Sequence, residues 1–358
     1  MASKPSSQIR IAILDDYQSL SISHISRLLS QPNISIKVFA NPNEPVKDRN
    51  DHDALISALH PFNVICAMRE RTSLRKEVLS KLPNLRLILT TGPRNAAIDL
   101  EACKEAGIIV AGTAFSPSNT SVAPMRDNTA QHTWALILAL TNNISRDDSA
   151  VKSGGWQGDL PLSVNLAGKT FACLGLGRLG TEVAKMAVIA FGMRVQAWSS
   201  SLTQEKADAQ AQSAGLPPGT FVVAPSKAAL FEAADVLSVH YVLSERSRNI
   251  VSADELALLR PSAMFVNSSR GPLVDEDALY DVLEKGKIRG AALDVFWSEP
   301  LPESGRWRST KWGRDGRSEV VMTPHTGFVS EQTMENWWLQ TAENLDRWLK
   351  CEEVLYRF

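Results

Sequence analysis

Four short segments of this 358-residue chain carry residue types that could do chemistry together. The first is Gly175-Leu176-Gly177-Arg178-Leu179-Gly180, which follows the apolar run Phe171–Leu174 and opens a helical pattern running to Ala190. Glycines at this spacing, between a strand and a helix, suit the pyrophosphate of a dinucleotide. Gly175 permits the tight turn, Gly177 lets backbone approach the phosphates, and Gly180 lets helix and strand pack closely. The first N–H groups of the helix, at Arg178 and Leu179, add donors and a positive dipole. The other three segments each place polar residues at the end of an apolar strand. They are Val266–Gly271 with Ser268 and Arg270, Ala291–Pro300 with Asp294 and Glu299, and Met322–Gly327 with His325 and Gly327. An arginine after a strand is ordinarily a surface ion pair, and a single histidine is ordinarily structural. Three strand ends converging beside a dinucleotide point instead to one shared crevice.

Positioning such groups requires a framework, and the apolar patterning supplies one. Short strands are predicted at Ile11–Leu14, Ile34–Phe39, Val64–Ala67, Leu87–Thr90 and Ile108–Val110, with helices at Ile22–Leu29 and around Leu74–Leu82. A second alternating series follows: Thr170–Gly175, Arg194–Trp198, Phe221–Val223, Val236–Val239, Met264–Asn267, Ala291–Val295 and Val320–Met322. Alternation of this kind predicts an α/β protein with two doubly wound parallel sheets. The Ser-, Pro-, Asn- and Thr-rich stretch 113–128 breaks the first series and is read as a crossing between domains. The expected division is 1–123, 124–328 and 329–358, the last part returning to the first domain. A long helix is predicted over Asn128–Ile144, and an amphipathic one over Glu331–Lys350 whose Trp338, Leu345 and Trp348 should pack against a neighbour.

Bulk properties narrow the partners. A net charge of −1 gives no general attraction to nucleic acid or to acidic membranes. No apolar stretch approaches the ~18–20 residues of a membrane span, and Met1–Arg10 lacks the apolar core of a signal peptide. The four cysteines, Cys66, Cys103, Cys173 and Cys351, are scattered without a CxxC pair, so neither a disulfide framework nor a metal site is expected. The expectation is a cytoplasmic protein.

Taken together, these motifs are similar to those of the D-isomer-specific 2-hydroxyacid dehydrogenases, the family of glyoxylate/hydroxypyruvate reductases and D-3-phosphoglycerate dehydrogenases. The resemblance rests on Ser153-Gly154-Gly155-Trp156, on Leu166–Thr170 before the glycine loop, and on Asn267–Leu279 with Arg-Gly-Pro-Leu-Val-Asp-Glu at its centre. It continues through Leu293–Phe296, Glu299-Pro300 and Thr323-Pro324-His325. It implies a Rossmann nucleotide domain inserted into a flavodoxin-like substrate domain, with a cleft that closes between them. It also implies reduction of a 2-oxo acid to a D-2-hydroxy acid, and the reverse, with NAD or NADP. Arg270 would polarise the 2-oxo oxygen and pair with the substrate carboxylate. His325 would give that oxygen its proton, with Glu299 orienting the imidazole and favouring its protonated form. Asp294 would hold the nicotinamide carboxamide, and His240, Ser268 and Gly327 would add cofactor contacts. In the first domain Thr91-Gly92-Pro93-Arg94-Asn95 resembles the loop that binds the substrate carboxylate, through backbone N–H groups and the Arg94 charge. A homodimer is implied, with the helix from Asn128 at its interface.

The chain also departs from the family pattern. Gln131 precedes His132 where Glu is common, and the 113–128 connection is long. Residues 303–318 carry Arg306, Arg308, Lys311, Arg314 and Arg317 among Trp307 and Trp312. Their place between Glu299 and His325 favours a surface loop at the active-site mouth over a nucleic-acid site. The strand Arg194–Trp198 runs into Ser199-Ser200-Ser201, where an NAD-specific fold has Asp or Glu. Without that carboxylate a 2′-phosphate is not repelled, and Lys206 is close in sequence, so the expectation leans towards NADP. Two other functions fit the same elements. One is a formate or phosphite dehydrogenase, against which Glu299 stands because formate enzymes have Gln there. The other is a nucleotide-sensing co-repressor, against which the lack of a basic cluster stands.

Overall fold

The computed structural model describes residues 8–41, 44–46, 51–114, 128–157 and 161–358. Positions 115–127 of the 113–128 stretch lie outside the described residues. The chain divides into two compact units, Met1–Arg126 with Val329–Phe358, and Asp127–Phe328.

In the first unit, β1 (Ile9–Leu14), β2 (Ile34–Phe39), β3 (Val64–Ala67), β4 (Leu87–Thr90) and β5 (Ile109–Ala111) form one sheet in the order β2-β1-β3-β4-β5. Every pairing is parallel. This is the flavodoxin-like order. β3 and β4 are buried along their whole length, which is why they read as unbroken apolar runs. The helix expected around Leu74–Leu82 shrinks to Lys76–Leu79, because Leu74 is drawn into a parallel bridge with Ile98. The helix Glu331–Leu349 buries Trp338 and Leu345 as expected, leaves Trp348 half-buried, and buries Trp337 as well. It also buries Asn336, Gln340 and Asn344, one turn apart. Gln340 accepts from the Ala114 N–H at 2.7 Å, and Asn344 donates to the Gly112 carbonyl and accepts from the Leu355 N–H. Buried amides are tolerated only when bonded in this way, and here they tie the helix to the chain beyond β5.

In the second unit, β6 (Thr170–Leu174), β7 (Arg194–Trp198), β8 (Phe221–Val223), β9 (Val236–Val239), β10 (Met264–Asn267), β11 (Gly290–Leu293) and β12 (Glu319–Met322) form a seven-stranded sheet. Its order is β12-β11-β10-β9-β6-β7-β8, the doubly wound nucleotide-binding order with one strand added beyond β11. The helix from Asn128 ends at Thr141, short of Ile144, because Asn143 takes a left-handed conformation and starts a new helix, Ile144–Lys152. Trp134 of the first of these helices stacks on Phe171 and Phe191, joining helix to sheet. Among the described residues no helix is long and apolar enough to cross a membrane.

The ends of β10 and β11 approach each other because Gly271 has no side chain. A Cβ there would be driven into the backbone of Phe296 and come within 2.7 Å of the Trp297 nitrogen. Gly271→Ala should therefore cost about 1–3 kcal/mol in chemical denaturation, as overpacking does. Gly177→Ala, with nothing within 4 Å of the added carbon, should stay within about 0.5 kcal/mol.

Candidate functional site

The parallel register of the large sheet brings the sequence-predicted residues into one row. Trp198 pairs with Leu174, Leu174 with Val239, Val239 with Asn267, Asn267 with Leu293, and Leu293 with Met322. The residues one step beyond that line are Ser199, Gly175, His240, Ser268, Asp294 and Thr323. Open α/β sheets bind ligands outside these carboxyl ends, at the point where strand order reverses, and that point lies between β6 and β9.

At the reversal the three glycines of the loop do three different things. Gly175 has φ +100°, closed to most side chains, and a Cβ on it would meet the His240 carbonyl at 2.9 Å. Gly177 is exposed with open space before it. A Cβ on Gly180 would clash with the Gly175 carbonyl and meet the Cys173 sulfur at 3.1 Å. The helix Arg178–Phe191 then starts with no side chain capping it. Leu179 is half-buried in its first turn and Arg178 is exposed. An open backbone edge, a packed helix and an uncapped helix start fit a dinucleotide pyrophosphate.

At the other side of the row, Glu299 accepts from the Phe296 N–H at 2.8 Å and pairs with His325 Nδ1 at 2.5 Å. One carboxylate thus ties the end of β11 to the imidazole, leaving Nε2 as the other ring nitrogen for chemistry. His325 has φ +53°, uncommon for its type, and its ring packs edge-on to Phe328. The two residues after it are held by Asp294, which accepts from the Thr326 and Gly327 N–H groups, each at 2.9 Å. Asp294 also accepts from the Thr323 hydroxyl at 2.6 Å and lies 3.2 Å from His132 Nε2. Burial pushes the Asp294 carboxyl up, but the bonds from His132, Thr323 and the Thr326 amide outweigh it and hold the group below its ordinary value. Arg270 is half-buried at the end of β10, where Asn267 holds its carbonyl and its own Nη1 donates to Ser269. Ser268 is buried against the Thr133 hydroxyl at 2.7 Å. The role of His132 was missed by sequence reasoning.

Beyond β7, Ser199 and Ser200 form an accessible turn with no carboxylate in it. The Ser200 N–H donates to the Tyr241 hydroxyl at 2.9 Å, and Lys206 Nζ donates to the Ser201 carbonyl at 2.8 Å.

In the first unit, Gly92 has φ +85° and lies at the end of β4. Its N–H is taken by Thr113 at 2.7 Å, and the Asn95 amide is taken by Arg69 and Thr90. Arg94 is exposed. The arginine that covers Gly92 is Arg69, at the end of β3, whose guanidinium occupies the place a Gly92 Cβ would take. Sequence reasoning missed it, although a polar residue ending the buried run Val64–Met68 is the signal that found Arg270.

The segment 303–318 is mostly at the surface, as expected, but it is anchored. Arg306–Ser309 is a short helix, and Trp307 is 2% exposed. It stacks on Trp297 and meets Tyr280 edge-on, while Arg306 pairs with Asp277 at 2.6 Å. Trp307 belongs to the hydrophobic core, and Trp312 packs against it half-buried. Among the described residues no cluster of His, Cys, Asp or Glu could hold a metal ion.

His240 should make stability depend on pH. Desolvation lowers its imidazole from 6.5 to about 4. Between those values the unfolded chain takes up a proton that the folded chain refuses, so stability is full above that window and falls as pH drops through it. His240→Asn should show a smaller loss of Tm than wild type between about pH 7 and about pH 5.

Comparison with known proteins agrees with this geometry. Residues 134–327 match the model of the D-isomer-specific 2-hydroxyacid dehydrogenase NAD-binding domain. The chain is 32% identical to D-3-phosphoglycerate dehydrogenase of Methanocaldococcus jannaschii over 80% of its own length and 50% of that protein's. It is 32% identical to glyoxylate reductase of Aeropyrum pernix, over 75% of each. The crystal structure of a phosphoglycerate oxidoreductase from Vibrio cholerae O395 superposes with a TM-score of 0.79 at 32% identity, covering 96% of this chain and 99% of that one. The chain spans about half the length of the curated D-3-phosphoglycerate dehydrogenases it matches. With the family model matched over more than half of its residues, the chain belongs to the D-isomer-specific 2-hydroxyacid dehydrogenase family.

Proposed function

We propose that this protein is an NAD(P)-dependent oxidoreductase that interconverts a 2-oxo acid and a D-2-hydroxy acid. The observation that carries the reading is the Glu299–His325 pair, set beside Arg270 and Asp294 on neighbouring strand ends. The dinucleotide, when bound, supplies or takes up the hydride. Gly175, Gly177, Arg178, Leu179 and Gly180 would hold its pyrophosphate, and Ser199 and Ser200 its adenosine ribose. His240, Ser268, Asp294 and Gly327 would line the nicotinamide side. His325 gives its Nε2 proton to the carbonyl oxygen in reduction and takes it back in oxidation, while Glu299 holds Nδ1 and so fixes which nitrogen carries the labile proton. Arg270 binds carboxylate and carbonyl oxygen through its planar fork. Asp294 fixes the backbone that follows His325, so the acid stays in place. In the first unit, the loop Gly92–Asn95 is proposed to receive the carboxylate through the exposed Arg94, since the Gly92 N–H and the Asn95 side-chain amide are already taken by Thr113, Arg69 and Thr90.

The four free thiols suit a reducing compartment, and we place the protein in the cytosol. We also propose a homodimer. The helix from Asn128 buries most of its apolar residues within its own unit, so the contact surface is assigned to the next segment. Ile144 and Val151 are exposed there, as are Trp156 at 75% and Leu162 at 87%.

The ribose site supports use of NADPH at least as good as that of NADH, since no carboxylate stands at Ser199 to repel a 2′-phosphate. Assays of glyoxylate, hydroxypyruvate, pyruvate and phenylpyruvate with both nucleotides test the activity; failure of all four would remove the reading. His325→Ala should lower kcat on the best 2-oxo acid by roughly 10²–10⁴-fold while fluorescence still reports nucleotide binding. Ser199→Asp should move kcat/KM towards NADH by at least about tenfold, through repulsion of the added phosphate. An unchanged ratio, or a wild type that prefers NADH a hundredfold, would overturn the NADPH lean.

A further inference from the structure

One contact at the nucleotide end of the sheet is absorbed by none of the roles above. Tyr241, the second residue after β9, sends its side chain across the glycine turn. Its ring lies against Gly175, with Cδ2 3.1 Å from where a Cβ would stand. Its hydroxyl reaches Ser200 beyond β7 and accepts the Ser200 N–H at 2.9 Å. Its carbonyl accepts from the Ser269 hydroxyl at 2.7 Å, fixing the residue from the β10 side. β9 and β7 both flank β6, so their ends stand about two strand spacings, or ~9.6 Å, apart. Only a long side chain crosses that distance, and it crosses over a residue that has no side chain.

We propose that Tyr241 is a specificity-determining residue that reads the 2′-phosphate of NADP. The inference rests on the NADP reading of the ribose site. A phenol oxygen that accepts the Ser200 N–H still has its own proton to give. Among the described residues that proton reaches only Ser200 Oγ, at 3.5 Å, too far for a strong bond. Accepting one hydrogen bond polarises the phenol and strengthens it as a donor. A phosphate dianion offers three acceptor oxygens and makes the bond charge-assisted, whereas a 2′-hydroxyl makes only a neutral one. Two further groups set the same preference. The Ser199–Ser201 turn presents hydroxyl donors, and Lys206 keeps its ammonium folded back onto Ser201. The site thus has donors and a cation, and no carboxylate of its own turn.

The test compares adenosine 2′,5′-bisphosphate with 5′-AMP by isothermal titration calorimetry, which needs neither substrate nor turnover. Wild type should bind the bisphosphate at least tenfold more tightly. Tyr241→Phe keeps the ring against Gly175 and removes only the hydroxyl. It should weaken the bisphosphate by about tenfold, the scale of one hydrogen bond to a charged group, and change 5′-AMP by less than about twofold. A wild-type preference that survives in Tyr241→Phe overturns the role of Tyr241 and leaves the NADP reading standing. Equal weakening of both nucleotides also overturns it, reducing Tyr241 to a brace for the turn. A wild type that binds the two alike overturns the NADP reading and this inference with it.

Discussion

The second unit of this protein depends on six parallel strands ending at one level. Strand pairing in a buried parallel sheet leaves little freedom to slip, because every N–H and C=O away from water must find a partner, and a one-residue shift would exchange the side chains packed on its two faces. Once Trp198, Leu174, Val239, Asn267, Leu293 and Met322 are in register, the next residue of each strand is delivered to the same edge. Ser199, Gly175, His240, Ser268, Asp294 and Thr323 come from positions far apart in the chain. They share a row because the backbone hydrogen bonds behind them require it.

On that scaffold, a buried carboxylate organises the backbone around His325. Taking Asp294 to 1% exposure costs several kcal/mol unless its oxygens are bonded. The donors come from Thr323, Thr326, Gly327 and His132. Two of them are backbone groups of the residues just after His325. Satisfying the charge and positioning the imidazole are therefore one structural event. Glu299 repeats the arrangement from the other side, one oxygen on the Phe296 N–H and the other on the ring. Gly271 completes it by letting β10 carry Arg270 up to the Phe296–Trp297 backbone.

Much of this is legible in the amino-acid sequence. The apolar runs mark every strand of both sheets to within a residue or two, since β-branched and aliphatic stretches bounded by Gly, Asp and Ser have few alternatives. Where sequence and fold differ, a tertiary contact is responsible. Leu74 looks helical by spacing but is held in a bridge to Ile98. Thr170–Gly175 loses its last residue because Gly175 turns through a positive φ. The run of tryptophans and arginines at 303–318 reads as surface because charge dominates its composition. Most of it lies at the surface, but Trp307 is buried against Trp297 and Tyr280, which the composition of the segment does not show.

The amino-acid sequence by itself determined the class of fold, the glycine loop and the strand ends that hold Arg270, Asp294, Glu299 and His325. Those follow from local pattern, and periodicity and motif spacing are local quantities. The tertiary structure decided which of these residues meet, and in what state. Only the fold shows that Asp294 is buried and saturated with donors, that Arg69 covers Gly92, and that Tyr241 reaches Ser200 across a glycine. Each of these joins residues separated by tens of positions, and a side chain's reach across neighbouring strands is fixed by sheet order, which spacing along one chain does not encode.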